Sequence, residues 1–149
     1  MPHRSIVRAI AFGALTAALA ACGGPLKRIN PPAATLQGLA LHDGGALALD
    51  LRIQNHSDVS TRVGRFDGEI AFDGRAALAL ALPIDLDVPA HAAEVVPARI
   101  DAAGWKPDPA RTLRYRLAGK VTTIEPRGSY EIEYESMLSP VPGRPGEFR

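Results

Sequence analysis

The stretch LALDLRIQN, residues 47–55, decides the fold of this chain. Leu47, Leu49, Leu51 and Ile53 alternate with Ala48, Asp50, Arg52 and Gln54. Side chains of a strand point alternately to its two faces, so this period of two predicts a strand with one dry and one wet face. Asn55 ends it, and His56-Ser57-Asp58 breaks the pattern.

The same period spreads outward from there. Upstream, Leu36, Leu39 and Leu41 predict a first strand that closes at the Asp43-Gly44-Gly45 turn. Downstream, Phe66, Gly68, Ile70 and Phe72 alternate with Asp67, Glu69 and Ala71. Asp73-Gly74 then supplies the strongest short-range hairpin signal in the chain. In the return run Leu78, Leu80, Leu82, Ile84, Leu86 and Val88 share one face, with Asp85 and Asp87 on the other. A break from Pro89 to Ala92 precedes Val96, Ala98 and Ile100. The connection DAAGWKPDPAR, residues 101–111, is expected to fold Trp105 back as a lid over one end of the core.

The last two runs form the clearest pair. Leu113, Tyr115, Leu117, Gly119 and Val121 alternate with Arg114, Arg116, Ala118 and Lys120. Beyond Pro126, Tyr130, Ile132 and Tyr134 alternate with Glu131, Glu133 and Glu135. Matching the apolar faces sets Val121 against Ile132 and Gly119 against Tyr134, with Lys120 opposite Glu133 and Arg116 diagonal to Glu135. About seven short strands with turn signals between them predict an all-β antiparallel sandwich.

Composition agrees. Gly (14) and Pro (13) are plentiful, as turns require, and aromatics are only 5%, so the core must be aliphatic. The 149 residues allow one domain. Arg4 and Arg8 lie in a segment expected to be removed, which leaves 15 Lys/Arg against 16 Asp/Glu, a net charge of −1. Such a chain carries no electrostatic footprint for nucleic acid.

Residues 1–21 read as a secretory leader, with Arg4 and Arg8 before an apolar stretch too short to span a bilayer. Its exit, Leu19-Ala20-Ala21-Cys22-Gly23, matches the bacterial lipobox at every position, and Cys22 is the single cysteine of the chain. That resemblance implies cleavage before Cys22 and its lipidation with palmitate-type chains; more than one acyl chain makes anchoring stable. Gly23, where an Asp would imply retention in the inner membrane, points to the outer membrane and its periplasmic face. Residues 22–33 then read as a lipidated tether, 34–138 as the sandwich domain and 139–149, with three prolines and two glycines, as a loose tail.

Four segments resemble the type 2 late-embryogenesis-abundant (LEA) family, also called the water-stress and hypersensitive-response domain. They are residues 47–55, residues 63–74 (VGRFDGEIAFDG), residues 89–100 (PAHAAEVVPARI) and residues 115–117. Their order and spacing carry the likeness over about residues 34–124; His56 stands where the family usually has Pro. The resemblance implies an immunoglobulin- or fibronectin-III-like sandwich, includes bacterial lipoproteins, and supplies no catalytic residues.

The chemistry-bearing residues do not converge in sequence. His42, His56 and His91 lie far apart in turns, which does not fit a zinc site, and no cofactor motif occurs. Asp85 and Asp87 share a face that could meet a cation, but strand alternation already accounts for them. Glu131, Glu133 and Glu135 read as a solvated stripe facing Arg116 and Lys120 rather than as acid/base groups. Asn55 is expected to shape its turn by bonding backbone groups. The expected role is non-catalytic recognition of a protein partner in the cell envelope. Protection of membranes or proteins in water stress is the alternative, and an enzyme is the third.

Overall fold

A computed structural model of the chain describes residues 24–102 and 104–149. The leader and the lipobox residues Leu19, Ala20, Ala21, Cys22 and Gly23 therefore lie outside the described residues. The strands run β1 (Ala33–Leu41), β2 (Ala46–Gln54), β3 (Thr61–Phe72), β4 (Leu78–Val88), β5 (Ala93–Asp101), β6 (Leu113–Glu125), β7 (Gly128–Leu138) and β8 (Glu147–Phe148). They form two four-stranded antiparallel sheets, ordered β5-β2-β1-β8 and β4-β3-β6-β7. The all-β sandwich expected from alternation is the fold observed.

The two inner faces meet in a core that is aliphatic except for Phe66, Phe72, Tyr115 and Phe148. Leu47, Leu49, Leu51 and Ile53 of β2 are all buried, as period two requires, and they face Val63, Phe66, Ile70, Leu117 and Val121. Two β-bulges hide part of this core from the sequence pattern. In β1, Leu36 pairs with Leu51 and Gly38 with Asp50, so Gln37 is an extra residue and both Leu36 and Leu39 turn inward. In β3, Val63 pairs with Thr123 and Arg65 with Thr122, so Gly64 is extra and the inward phase changes. Val63 is therefore buried although it lies an odd number of residues from Phe66.

At the centre of the second sheet Gly68 and Gly119 are cross-strand partners. A Cβ on Gly119 would lie 2.5 Å from the Asp67 carbonyl oxygen and 2.7 Å from Gly68 Cα, and the Phe66 ring fills the space instead. Tyr115, 2% exposed, ties the sheets together. Its hydroxyl accepts from the Leu36 amide (3.1 Å) and donates to the Leu36 carbonyl (3.2 Å), beside the β1 bulge. Burial raises its phenol pKa.

Three expectations are corrected here. The last hairpin is shifted by two residues: Val121 pairs with Tyr130, Gly119 with Ile132 and Lys120 with Glu131. A two-residue slip leaves every side chain on its face, so hydrophobic matching cannot detect it; the turn decides, with the Thr123 hydroxyl donating to the Pro126 carbonyl at 2.6 Å. Residues 139–149 are not a loose tail. Ser139 and Arg149 exchange two backbone hydrogen bonds of 2.7 and 2.9 Å, and β8 pairs with β1. Phe148 is 1% exposed, and burying a phenylalanine contributes about 1.5–3 kcal/mol, which offsets the ordering of a short segment. The tether, finally, is free for only part of its length, because its last residues are fastened to the domain.

Candidate functional site

The sandwich has two ends and four edge strands. The near end gathers the β2–β3, β4–β5 and β6–β7 turns, and the incoming chain binds there. Arg28 N donates to Asp58 Oδ2 (2.9 Å) and Asp58 N donates to the Arg28 carbonyl (2.9 Å). Asn30 N donates to Ser57 Oγ (2.9 Å), and the Asn30 side chain donates to the His56 carbonyl (2.7 Å). The Arg28 amide bond is the main reason the Asp58 carboxyl is held below its usual pKa, with His91, 3.0 Å away, adding to it. Just before this clamp, Leu26 is 94% exposed, and Ile29 within it is 55% exposed.

Asn55 is the hub beneath. It is 2% exposed, and its amide nitrogen lies 2.8, 3.0 and 3.1 Å from the carbonyls of Val59, Val88 and Pro89. Its Oδ1 accepts from Ser57 N at 2.9 Å. One side chain therefore joins the β2–β3 turn to the β4–β5 turn, which is the turn-shaping role expected of it. His56 and His91 are exposed at this end, and His42 is exposed at the opposite one. Asp85, with a φ of 49°, accepts from Arg62 Nε at 2.8 Å, which lowers its pKa. Among the described residues no three His, Cys, Asp or Glu side chains group closely enough to hold a metal ion.

At the far end Trp105 stacks on Phe72, with ring centroids 5.1 Å apart and planes 20° apart, as the lid reading anticipated. The Arg75 guanidinium lies over the Trp105 ring, 5.9 Å from its centroid. Beneath is a cavity of about 110 Å³ lined by Phe72, Leu78, Ala102 and Trp105. Beside it runs an open groove of about 750 Å³ with Arg75, Arg111, Arg114 and Arg116 along its walls, only partly offset by Asp73 and Glu135. The sequence does not show this groove, because only the fold brings Arg75 to the 111–116 run that carries the other three arginines.

The edges differ in how they are guarded. β4 carries Pro83 and the Asp85 irregularity, β5 carries Pro97, and β8 is two residues long. Proline, bulges and shortness each discourage further pairing. β7 is eleven residues long and pairs with β6 in unbroken register, with neither proline nor bulge. Along its outer face Glu133 meets Arg116 (2.6 Å), Glu135 lies 3.6 Å from the same guanidinium and Glu131 meets Lys120 (3.1 Å). The glutamates thus form the stripe expected of them.

No family model and no curated protein matches this chain. Among solved structures it is similar in backbone course to one assigned provisionally to the late embryogenesis abundant (LEA) proteins. That solution structure shares 14% identity and a TM-score of 0.48, over 94% of this chain and 87% of that one. A protein from Archaeoglobus fulgidus shares 12% identity and a TM-score of 0.41, over 76% of this chain and 98% of that one. A structural-genomics target solved by X-ray diffraction shares 6% identity and a TM-score of 0.40, over 78% of this chain and 88% of its own.

Proposed function

We propose that this chain is a lipoprotein of the type 2 LEA family, anchored through lipidated Cys22 at the periplasmic face of the outer membrane, whose non-catalytic sandwich recognises a protein partner in the envelope. The observation that carries this reading is the clamp of residues 28–30 on residues 56–58. It leaves five residues between Cys22 and the first fixed point, Arg28, a reach of at most about 20 Å. A lipid at Cys22 would hold the near end against the bilayer. Leu26 and Ile29 would meet the interface, and Lys27 and Arg28 the acidic headgroups. The far end and the edge strands would then face the periplasm, where a partner can reach them.

Metabolic labelling of expressing cells with a tagged palmitate tests the anchor. Label is expected on the wild-type chain and not on Cys22→Ser, and Gly23→Asp is expected to move the labelled protein from outer to inner membrane fractions. An unlabelled wild-type chain in the soluble fraction would refute the anchored reading.

A further inference from the structure

One row across the outer face of the second sheet alternates in charge from strand to strand. Asp67 of β3 lies opposite Lys120 of β6, which lies opposite Glu131 of β7. Further along the same pair of strands, Arg116 of β6 lies opposite Glu135. Acid, base, acid is the order across β3, β6 and β7 in the Lys120 row, whereas Arg116 meets Ala71 on β3 and Ala118 lies between Glu69 and Glu133. β7 is the last strand of that sheet among the described residues. A strand added beyond it would stand directly opposite Glu131, Glu133 and Glu135. Those side chains remain 79%, 69% and 65% exposed despite their bonds to β6, so their carboxylates keep open sides for a second cation. The inner face of the edge is apolar: Tyr130 and Ile132 are half-buried, and Tyr134 is 42% exposed with its ring 6.3 Å from that of Tyr115.

From this edge we infer that β7 is the recognition site of the proposed binding module. It accepts, as an added strand, an extended polypeptide segment in which lysine or arginine alternates with apolar residues. Backbone pairing supplies affinity in such strand addition, and the alternating side chains supply specificity. The basic side chains continue the charge alternation, and the apolar ones cover Tyr130, Ile132 and Tyr134. A second copy of this chain does not fit. Antiparallel β7-to-β7 pairing that keeps inner face with inner face sets glutamate opposite glutamate in every register that pairs seven or more residues, and like charges in that position repel.

This inference rests on the partner-recognition reading but not on the lipid anchor, so its test is made in detergent solution with the full chain. The probe is a capped nine-residue peptide alternating lysine and valine, followed by calorimetry and by backbone amide exchange. Binding is expected, with new protection confined to alternate amides of β7. Replacing the peptide's lysines by glutamate is expected to weaken binding at least tenfold, since each opposite-charge pair changes affinity by about 1.4- to 5-fold and like charges oppose it. N-methylating alternate amides, which leaves the charge unchanged but blocks the ladder, is expected to weaken it at least tenfold too.

The variant E131K/E133K/E135K should reverse the preference between the two peptides. Where that variant does not fold, the N-methylated peptide on the wild-type chain decides the matter. Equal binding of the lysine and glutamate peptides, indifference to N-methylation, protection on β4 or β5 instead, or self-association through β7 would each overturn the inference. Peptide binding by a chain that takes up no palmitate would leave this edge standing and remove only the anchor.

Discussion

Replacing Asn55 by alanine tests how the near end is held together. The amide has two protons and faces three carbonyls, while its oxygen accepts from Ser57 N, so at most three hydrogen bonds operate at once. Each buried bond contributes about 0.5–1.5 kcal/mol net, which gives about 1.5–4.5 kcal/mol for Asn55→Ala. With a urea dependence of about 2 kcal/mol per molar, the unfolding midpoint of the full chain should fall by about 0.7–2.2 M. Asn55→Asp should cost more than alanine at neutral pH, because a buried carboxylate would face carbonyl oxygens with no proton to give. That order should narrow as pH falls and the carboxyl gains its proton. Equilibrium urea unfolding read by circular dichroism measures all of this. A midpoint change under about 0.2 M for Asn55→Ala, or an aspartate variant as stable as wild type, would refute the hub assignment.

Gly119→Ala should destabilise by about 1–3 kcal/mol, because the added methyl meets the Asp67 carbonyl and the Gly68 backbone rather than a movable side chain; the same unfolding assay reads it. Tyr115→Phe should cost about 1–3 kcal/mol, since the buried Leu36 amide and carbonyl lose the hydroxyl they share. The Asp58 carboxyl has a lowered pKa in the folded chain, so its contribution is present above the ordinary carboxylate range and is lost as pH falls through the depressed value. The protection factor of the Arg28 amide, its exchange rate measured against the intrinsic rate at the same pH, should therefore be high near neutrality and fall in acid, and Asp58→Asn should lower it near neutrality but not below the depressed pKa.

The sandwich was legible because its longest buried run keeps strict period two: Leu47 to Ile53 point one way without interruption. Where the backbone inserts a residue, the pattern misleads. Gly64 makes β3 read as though it begins at Phe66, five residues after its actual start at Thr61. The hairpin register was out of reach of the same signal, since Val121 faces inward whether it meets Ile132 or Tyr130. Phe148 lies in a segment whose prolines and glycines read as loose, and only the open edge of β1 explains why it folds. The clamp on residues 56–58 and the arginine groove join segments distant in sequence, and no local pattern announces either. The glutamate stripe of β7 was plain in the sequence, but its position on an unguarded edge was not.

The most direct test of the functional account is photo-cross-linking in living cells, with a benzoylphenylalanine placed at Tyr134 on β7 and, separately, at Val95 on β5. These positions are 42% and 43% exposed, so they compare edges rather than accessibility. Recognition along β7 predicts one or two dominant envelope proteins captured from position 134 and none from position 95. The same adducts from both positions, or none from either, would contradict it.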